Sequence, residues 1–266
     1  MKFIGNSTAF LIGMCLLISP LYADGILIVE KETGSEGVRT NQIQIEKDRM
    51  RAEMSGSGER QAFVFNGAKQ VMWIINLDKK TYNEMTKEEI DRLGGQMASM
   101  KAQMEESMKN MPPEQRKQME EMMRGRMPGG AMGAAPKTEY RKAGTDKVGK
   151  WTCDKYEGYQ GTQKKSEVCT VDPKDLGFTV SDFEVTRQLA EFFKKLMPQN
   201  ADRMFSIGKS EDQGFSGVPV RRVMYMGQQQ TVSEVTDIRR ESFPASAFEV
   251  PAGFQKQAMG GPPGRR

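Results

Sequence analysis

The sequence predicts an α+β fold: a mainly antiparallel β-sheet interrupted by two amphipathic helical segments, the first unusually rich in methionine. Three observations predict it. Over most of the chain apolar and polar residues alternate in short runs bounded by turn residues, the period of strands that bury one face. At Thr86, and again at Ser181, that period gives way to apolar spacings of three and four, the repeat of a helix with one buried stripe. The composition, 28% charged residues over a length of 266, suits a water-facing chain with one substantial core or two small ones.

Residues 1–23 stand apart from this pattern. Met1-Lys2 is a short basic start, Phe10 to Leu21 is an apolar run, and Leu21-Tyr22-Ala23 ends on a small residue, so the segment reads as a secretory signal cleaved after Ala23. The run is shorter than the roughly 20 residues of a spanning helix, and no later segment approaches that length. A soluble, exported protein with no stable membrane span is therefore expected, periplasmic or secreted. Cys15 sits inside the apolar run behind Met14, and is discarded with it rather than marking a lipoprotein cleavage site. Losing Lys2 lowers the formal net charge from +4 to +3, and basic residues are scattered among acidic ones, which argues against nucleic acid as a partner.

Export also bears on cysteine. Cleavage leaves Cys153 and Cys169, an even count in a compartment that permits disulfides. Both lie in strand-like segments, 150–156 and 165–172, on either side of a turn at Gly158 to Gly161, so a structural cross-strand bridge is predicted. It should stabilise the fold by about 3 kcal/mol in the chain-entropy description, and no C-x-x-C spacing lowers either thiol's pKa for redox work.

Residues 24–255 read as one β-rich domain, with 86–137 as a Met-rich helical insertion and linker and 256–266 as a disordered tail. Ile26 to Val29 is an apolar strand; Ile43 and Ile45, then Met50, Ala52 and Met54, alternate with polar residues. Ala62 to Phe65 and Val71 to Leu77 flank Asn66-Gly67, a dipeptide that favours the positive φ of a tight hairpin. The second of these strands has apolar residues on both faces, Val71, Trp73, Ile75 and Leu77 against Met72 and Ile74, and should be covered on both sides. Thr86 with Glu89 has the form of a capping box, after which Ile90, Leu93, Met97, Met100, Met104, Met108 and Met111 form one helical stripe. Gly94-Gly95 weakens that helix by about 1 kcal/mol per glycine, and Pro112-Pro113 ends it. A second helical stretch is expected over 114–124, then a linker over 125–137.

β character resumes at Thr138 and runs through the cysteine-bearing strands. Ser181-x-x-Glu184 then opens a second helix with Leu189, Phe192, Phe193, Leu196 and Met197 on one face, closed by Pro198. Strands return over 218–225 and 231–240, and 247–251 ends the ordered part.

The pieces Asn41-Gln42-Ile43-Gln44-Ile45 before Asp48-Arg49-Met50-Arg51, Trp73-Ile74-Ile75-Asn76-Leu77-Asp78-Lys79-Lys80-Thr81-Tyr82, Gly217-Val218-Pro219-Val220-Arg221 and Phe248-Glu249-Val250-Pro251-Ala252-Gly253-Phe254 give the chain a resemblance. It resembles a secreted bacterial family, domain of unknown function 4412, and more widely the LolA/LolB-like periplasmic lipoprotein-carrier superfamily. The resemblance implies a strongly curved half-barrel sheet with helices covering its concave face, and an apolar cavity there for acyl chains or a lipid-like ligand.

Chemistry is sparse. The chain has no histidine, which removes the commonest neutral-pH acid/base, nucleophile partner and zinc ligand at once. No catalytic residue, metal ligand or cofactor is assigned, and an enzyme is not expected. Paired carboxylates such as Glu105-Glu106 diverge by about 100° around a helix and read as solvated surface. Ten of the 21 methionines lie between Met97 and Met132. They can line a contact face, form an adaptable binding surface, or offer thioethers to a soft metal such as Cu(I). Arg221-Arg222 and Arg239-Arg240 can meet across strands as a basic patch towards lipid headgroups, or simply stand exposed.

The leading expectation is a binding protein that holds an apolar, lipid-like or lipoprotein-derived ligand in the concavity. Trp73, Ile75, Met97, Met100, Met104, Leu189, Phe192, Phe193, Leu196 and Met197 are expected to line or roof it. The alternatives are soft-metal binding through the Met helix and an envelope scaffold that docks a protein partner through it.

Overall fold

Alternation carries the chain through thirteen strands among the described residues, joined in a single sheet. The computed structural model describes residues 25–35, 37–55, 58–109, 111–112, 114–115, 138–197, 201, 208–210 and 214–258. The segment expected to be a secretory signal, residues 116–124 of the second helical stretch, the linker and the end of the tail lie outside them.

The first six strands form an antiparallel meander: β1 (Gly25–Gly34), β2 (Gly37–Ile45), β3 (Arg49–Ser55), β4 (Gln61–Asn66), β5 (Val71–Asn76) and β6 (Thr81–Thr86). Helix α1 (Lys87–Lys109) follows, then β7 (Glu139–Val148), β8 (Trp151–Gln160) and β9 (Gln163–Val171). Helix α2 (Glu184–Phe193) precedes a short β10 (Gly208–Ser210), then β11 (Phe215–Met226), β12 (Gln229–Glu241) and β13 (Gln255–Lys256). The strand order is β13-β6-β5-β4-β3-β2-β1-β12-β11-β9-β8-β7, with β10 paired to the start of β11. Pairing of β1 with β12 welds the two halves into one sheet, and among the described residues only β13 on β6 runs parallel.

Register explains the two cores. One row, Ile26-Ile45-Met50-Phe65-Met72-Met85, runs across β1 to β6 with each residue opposite the next. All six belong to the larger apolar cluster, which also takes Val185, Leu189, Phe192 and Phe193 from α2. The intervening residues Ala62, Val64, Trp73, Ile75 and Tyr82 point to the other face, where Phe243, Phe248, Val250 and Phe254 cover them. Strand β5 is thus covered on both sides, as its composition predicts.

The sheet must bend around α2. Phe192 meets Phe65 of β4 at 5.3 Å between ring centroids, while Thr186 and Leu189 face residues of β11 and β12. From β4 to β11 is five strand spacings, about 24 Å if flat, against a helix only about 10 Å across and 15 Å long. Curvature closes that gap and makes the α2 side concave.

Local signals hold in part. The Thr86 capping box is formed, with Thr86 N–H donating to Glu89 Oε2 at 3.0 Å and Glu89 N–H to Thr86 Oγ1 at 3.3 Å. The predicted box at Ser181 is displaced: Thr179 and Asp182 close one around a 3-10 turn (Val180–Phe183), and α2 starts only at Glu184. At the β4–β5 turn Asn66 Oδ1 accepts from Lys69 N–H at 2.9 Å, and the positive φ falls on Gln70 rather than Gly67. Order also continues past 251, because β13 adds to β6.

Cys153 and Cys169 are bridged, with Cα atoms 5.5 Å apart. Lys155 is the residue opposite Cys169, so the bridge crosses β8 and β9 diagonally.

Candidate functional site

Helix α2 fills part of the concavity with its own side chains. Phe192 is fully buried, stacked edge-on to Phe193 at 5.1 Å, and Leu196 and Met197 pack against the same cluster. Beside the helix, over β1, β12 and β11, an open groove of about 390 Å³ remains. This size falls within the range of small-molecule sites.

The groove is graded along the strands. Its deep end is apolar, with Ile28, Ile43, Met50, Val218 and Val235 beneath Leu189. Two residues further along β1 and β12, and four along β11, it becomes polar. Glu32 on β1 stands opposite Ser233 on β12, and Ser233 stands opposite Arg222 on β11, so the three form one row across the sheet. Glu30 lines the wall between the two ends.

Arg222 is the unusual member. Half-buried in the groove wall, it makes no hydrogen bond or ion pair among the described residues, whereas Glu32 has Arg39 at 4.0 Å. Burial pulls its pKa down, and the nearby Tyr140 and Glu30 only partly offset this. Since a guanidinium stays protonated, that direction means a positive charge held where water solvates it poorly.

The predicted residues divide. Leu189 borders the groove; Phe192, Phe193, Leu196 and Met197 belong to the core beside it. Trp73 and Ile75 are not in the concavity. They lie on the convex face under Phe248, with the Trp73 indole N–H donating to Glu84 at 2.9 Å. Alternation shows that these residues share a face, but not which face is concave. Nor do Met97, Met100 and Met104 roof the groove: no described α1 residue lines it, and Met100 is 53% exposed. The apolar stripe of α1 is buried at Ile90, where the helix meets the sheet and α2, and emerges towards solvent further along.

The expected basic patch is likewise split. Arg221 turns away to Asp146 at 3.3 Å and Glu234 at 3.8 Å, Arg239 pairs with Asp237 and Glu241, and Arg240 reaches Asp182 at 3.2 Å. Of the four, Arg222 is the one that lines the groove. Among the described residues no group of three or more Asp, Glu, His or Cys is arranged to hold a metal ion, and no helix is long and apolar enough to cross a membrane.

An open, curved antiparallel sheet with a helix in its concavity and an amphipathic groove beside that helix defines a half-barrel of the kind the resemblance implied. The family model described as "Domain of unknown function (DUF4412)" matches residues 86–254, and the chain belongs to that family. The match holds Gly217 to Arg221 and Phe248 to Phe254. It starts after the β2–β3 and β5–β6 pieces that also suggested the resemblance. No curated protein matches the chain. Among solved structures, the chain is similar to an uncharacterized conserved protein of Thermus thermophilus, at 8% identity over 89% of this chain and 91% of that one, TM-score 0.45. It is also similar to LprF of Mycobacterium bovis, at 9% identity over 87% and 90% of the two chains, TM-score 0.29. At such scores neither carries a property over to this chain.

Proposed function

We propose that this protein is an exported, non-catalytic binding protein that holds an apolar, lipid-like group in the groove beside α2. The supporting observation is the groove itself, about 390 Å³ of open concave surface, apolar at the α2 end with a row of polar residues further along. A closed globular core would fill such a space with side chains, since interiors pack at near-crystalline density. An apolar surface left open in this way is stabilised when a ligand covers it, by about 25 cal/mol per Å² removed from water.

Freshly purified full-length protein should release lipid on solvent extraction and show the adduct in native mass spectrometry. It should also bind an environment-sensitive apolar dye that added fatty acid displaces. Repeated preparations with no bound lipid and no displaceable dye would overturn the proposal.

A further inference from the structure

We propose that Arg222 selects the ligand's head: the groove takes a single-chain amphiphile with an anionic carboxylate or phosphate end, placed against the guanidinium. This rests on the groove being a ligand site and adds to it the polarity and charge of the ligand.

The argument starts from what Arg222 lacks. A buried charge in a folded protein is normally paired and hydrogen-bonded, because removing it from water is costly. Arg222 has neither kind of partner among the described residues, although Arg221 beside it has two carboxylates. Its guanidinium offers five donors in a planar fork, the geometry that carboxylate and phosphate oxygens accept. The position fits as well. Arg222 lies in the polar row Glu32-Ser233-Arg222, one row inside the outer edge where Met224 stands opposite Thr231, and the groove's α2 end is lined by Ile28, Val218 and Leu189. An amphiphile laid along the strands would put its chain under α2 and its head at that row.

Two neighbours bear on the head. Tyr140, near Arg222, accepts a hydrogen bond from Ser166 at 3.0 Å, which leaves its own proton to donate. Glu30 works the other way. Its carboxylate attracts Arg222 without reaching ion-pair distance, so it competes with an incoming anion.

The experiment compares full-length wild type with Arg222→Met and Glu30→Gln in a dye-displacement titration. The probes are a long-chain fatty acid, the matching alkyl phosphate, its neutral alcohol, its alkylammonium, and inorganic phosphate. Wild type should bind the acid and the alkyl phosphate about ten- to a hundredfold more tightly than the alcohol, the range expected of a charge-assisted contact. Arg222→Met should abolish that preference by weakening the anions far more than the alcohol; Glu30→Gln should tighten both anions. Inorganic phosphate should displace nothing, since the chain supplies most of the binding. Equal affinity for acid, alcohol and ammonium, or preference for the ammonium, would overturn the role of Arg222 while leaving the groove as a ligand site. Displacement by inorganic phosphate alone would overturn the amphiphile and point to a free anion site. Failure of every amphiphile in wild type would sink the groove proposal itself.

Discussion

Gly94 and Gly95 stand side by side in α1, yet they should respond oppositely to alanine. A Cβ added at Gly94 would lie 2.7 Å from the carbonyl oxygen of Lys195 and 2.9 Å from its carbon, so α1 meets the backbone just beyond α2 at van der Waals distance. A Cβ at Gly95 would meet nothing within 4 Å. Alanine in a helix interior is favoured over glycine by about 1 kcal/mol, and Gly95→Ala should gain close to that. In a chain of this size that is about 2–4 °C in Tm. Gly94→Ala gains the same propensity, but it overpacks a backbone contact that cannot rotate away, at a cost of about 1–3 kcal/mol. The net change runs from near zero to about 2 kcal/mol of destabilisation. Differential scanning calorimetry and urea unfolding of the two single variants measure the contrast directly, and each controls for the other's helix propensity. If Gly94→Ala stabilised the protein as much as Gly95→Ala, α1 would not approach Lys195 this closely. The placement of α2 against it, and with it the wall of the groove, would need revision.

The other outcomes concern the core, the bridge, an ionic cluster and the groove. Phe192→Ala, at a fully buried ring between Phe65 and Phe193, should cost about 3–5 kcal/mol in denaturant unfolding. Replacing both Cys153 and Cys169 by alanine should cost about 3 kcal/mol, and reduction of the wild type should reproduce that loss. At Glu167 burial pushes the carboxyl up, but hydrogen bonds from Lys164, Tyr225 and Lys155 outweigh it and take the pKa from 4.5 to about 2. Its unfolded form therefore protonates first. The stabilisation, about 1–2 kcal/mol after solvent screening, is complete above pH 4.5 and lost as the pH falls towards 2. The urea midpoints of wild type and Glu167→Gln should therefore converge across that window. Arg222→Met should stabilise the ligand-free protein by about 1 kcal/mol, since it removes a poorly solvated charge without breaking a bond; a drop in Tm would show that Arg222 has a structural partner.

Much of the fold is legible because strand period and capping chemistry are local. The Thr86–Glu89 box, the strand of Ala62 to Phe65 and the cross-strand bridge of the cysteines all appear in the structure as the residues suggest. What local patterns do not fix is which face a stripe meets. Trp73 and Ile75 read from the sequence as residues of the concavity, and the convex face has its own cover only because the distant segment Phe243 to Phe254 folds back over it. Likewise, the Met stripe of α1 shows a helical face, but its partner is decided by Gly94 and Ile90, which anchor only the first half of the helix.

The groove depends on a finer detail, a bulge between β1 and β12. Val29 pairs with Asp237 and Glu30 with Val235, so Thr236 is an extra residue, and its hydroxyl donates to the Val29 carbonyl at 3.2 Å. The consequence follows from strand parity. Ile28 faces the concavity opposite Ile238, and without the extra residue Thr236 and Glu234 would share that face in place of Val235 and Ser233. Arg221 lies opposite Glu234 and Arg222 opposite Ser233, so the unbulged sheet would carry Arg221 into the groove and turn Arg222 outward. Bulges re-aim side chains in this way. A trace of it is visible in the chain, where Val235 and Ile238 are spaced by three inside a strand whose period is two. One inserted residue thus decides that the arginine in the groove is the one without a carboxylate of its own, free to take one from a ligand.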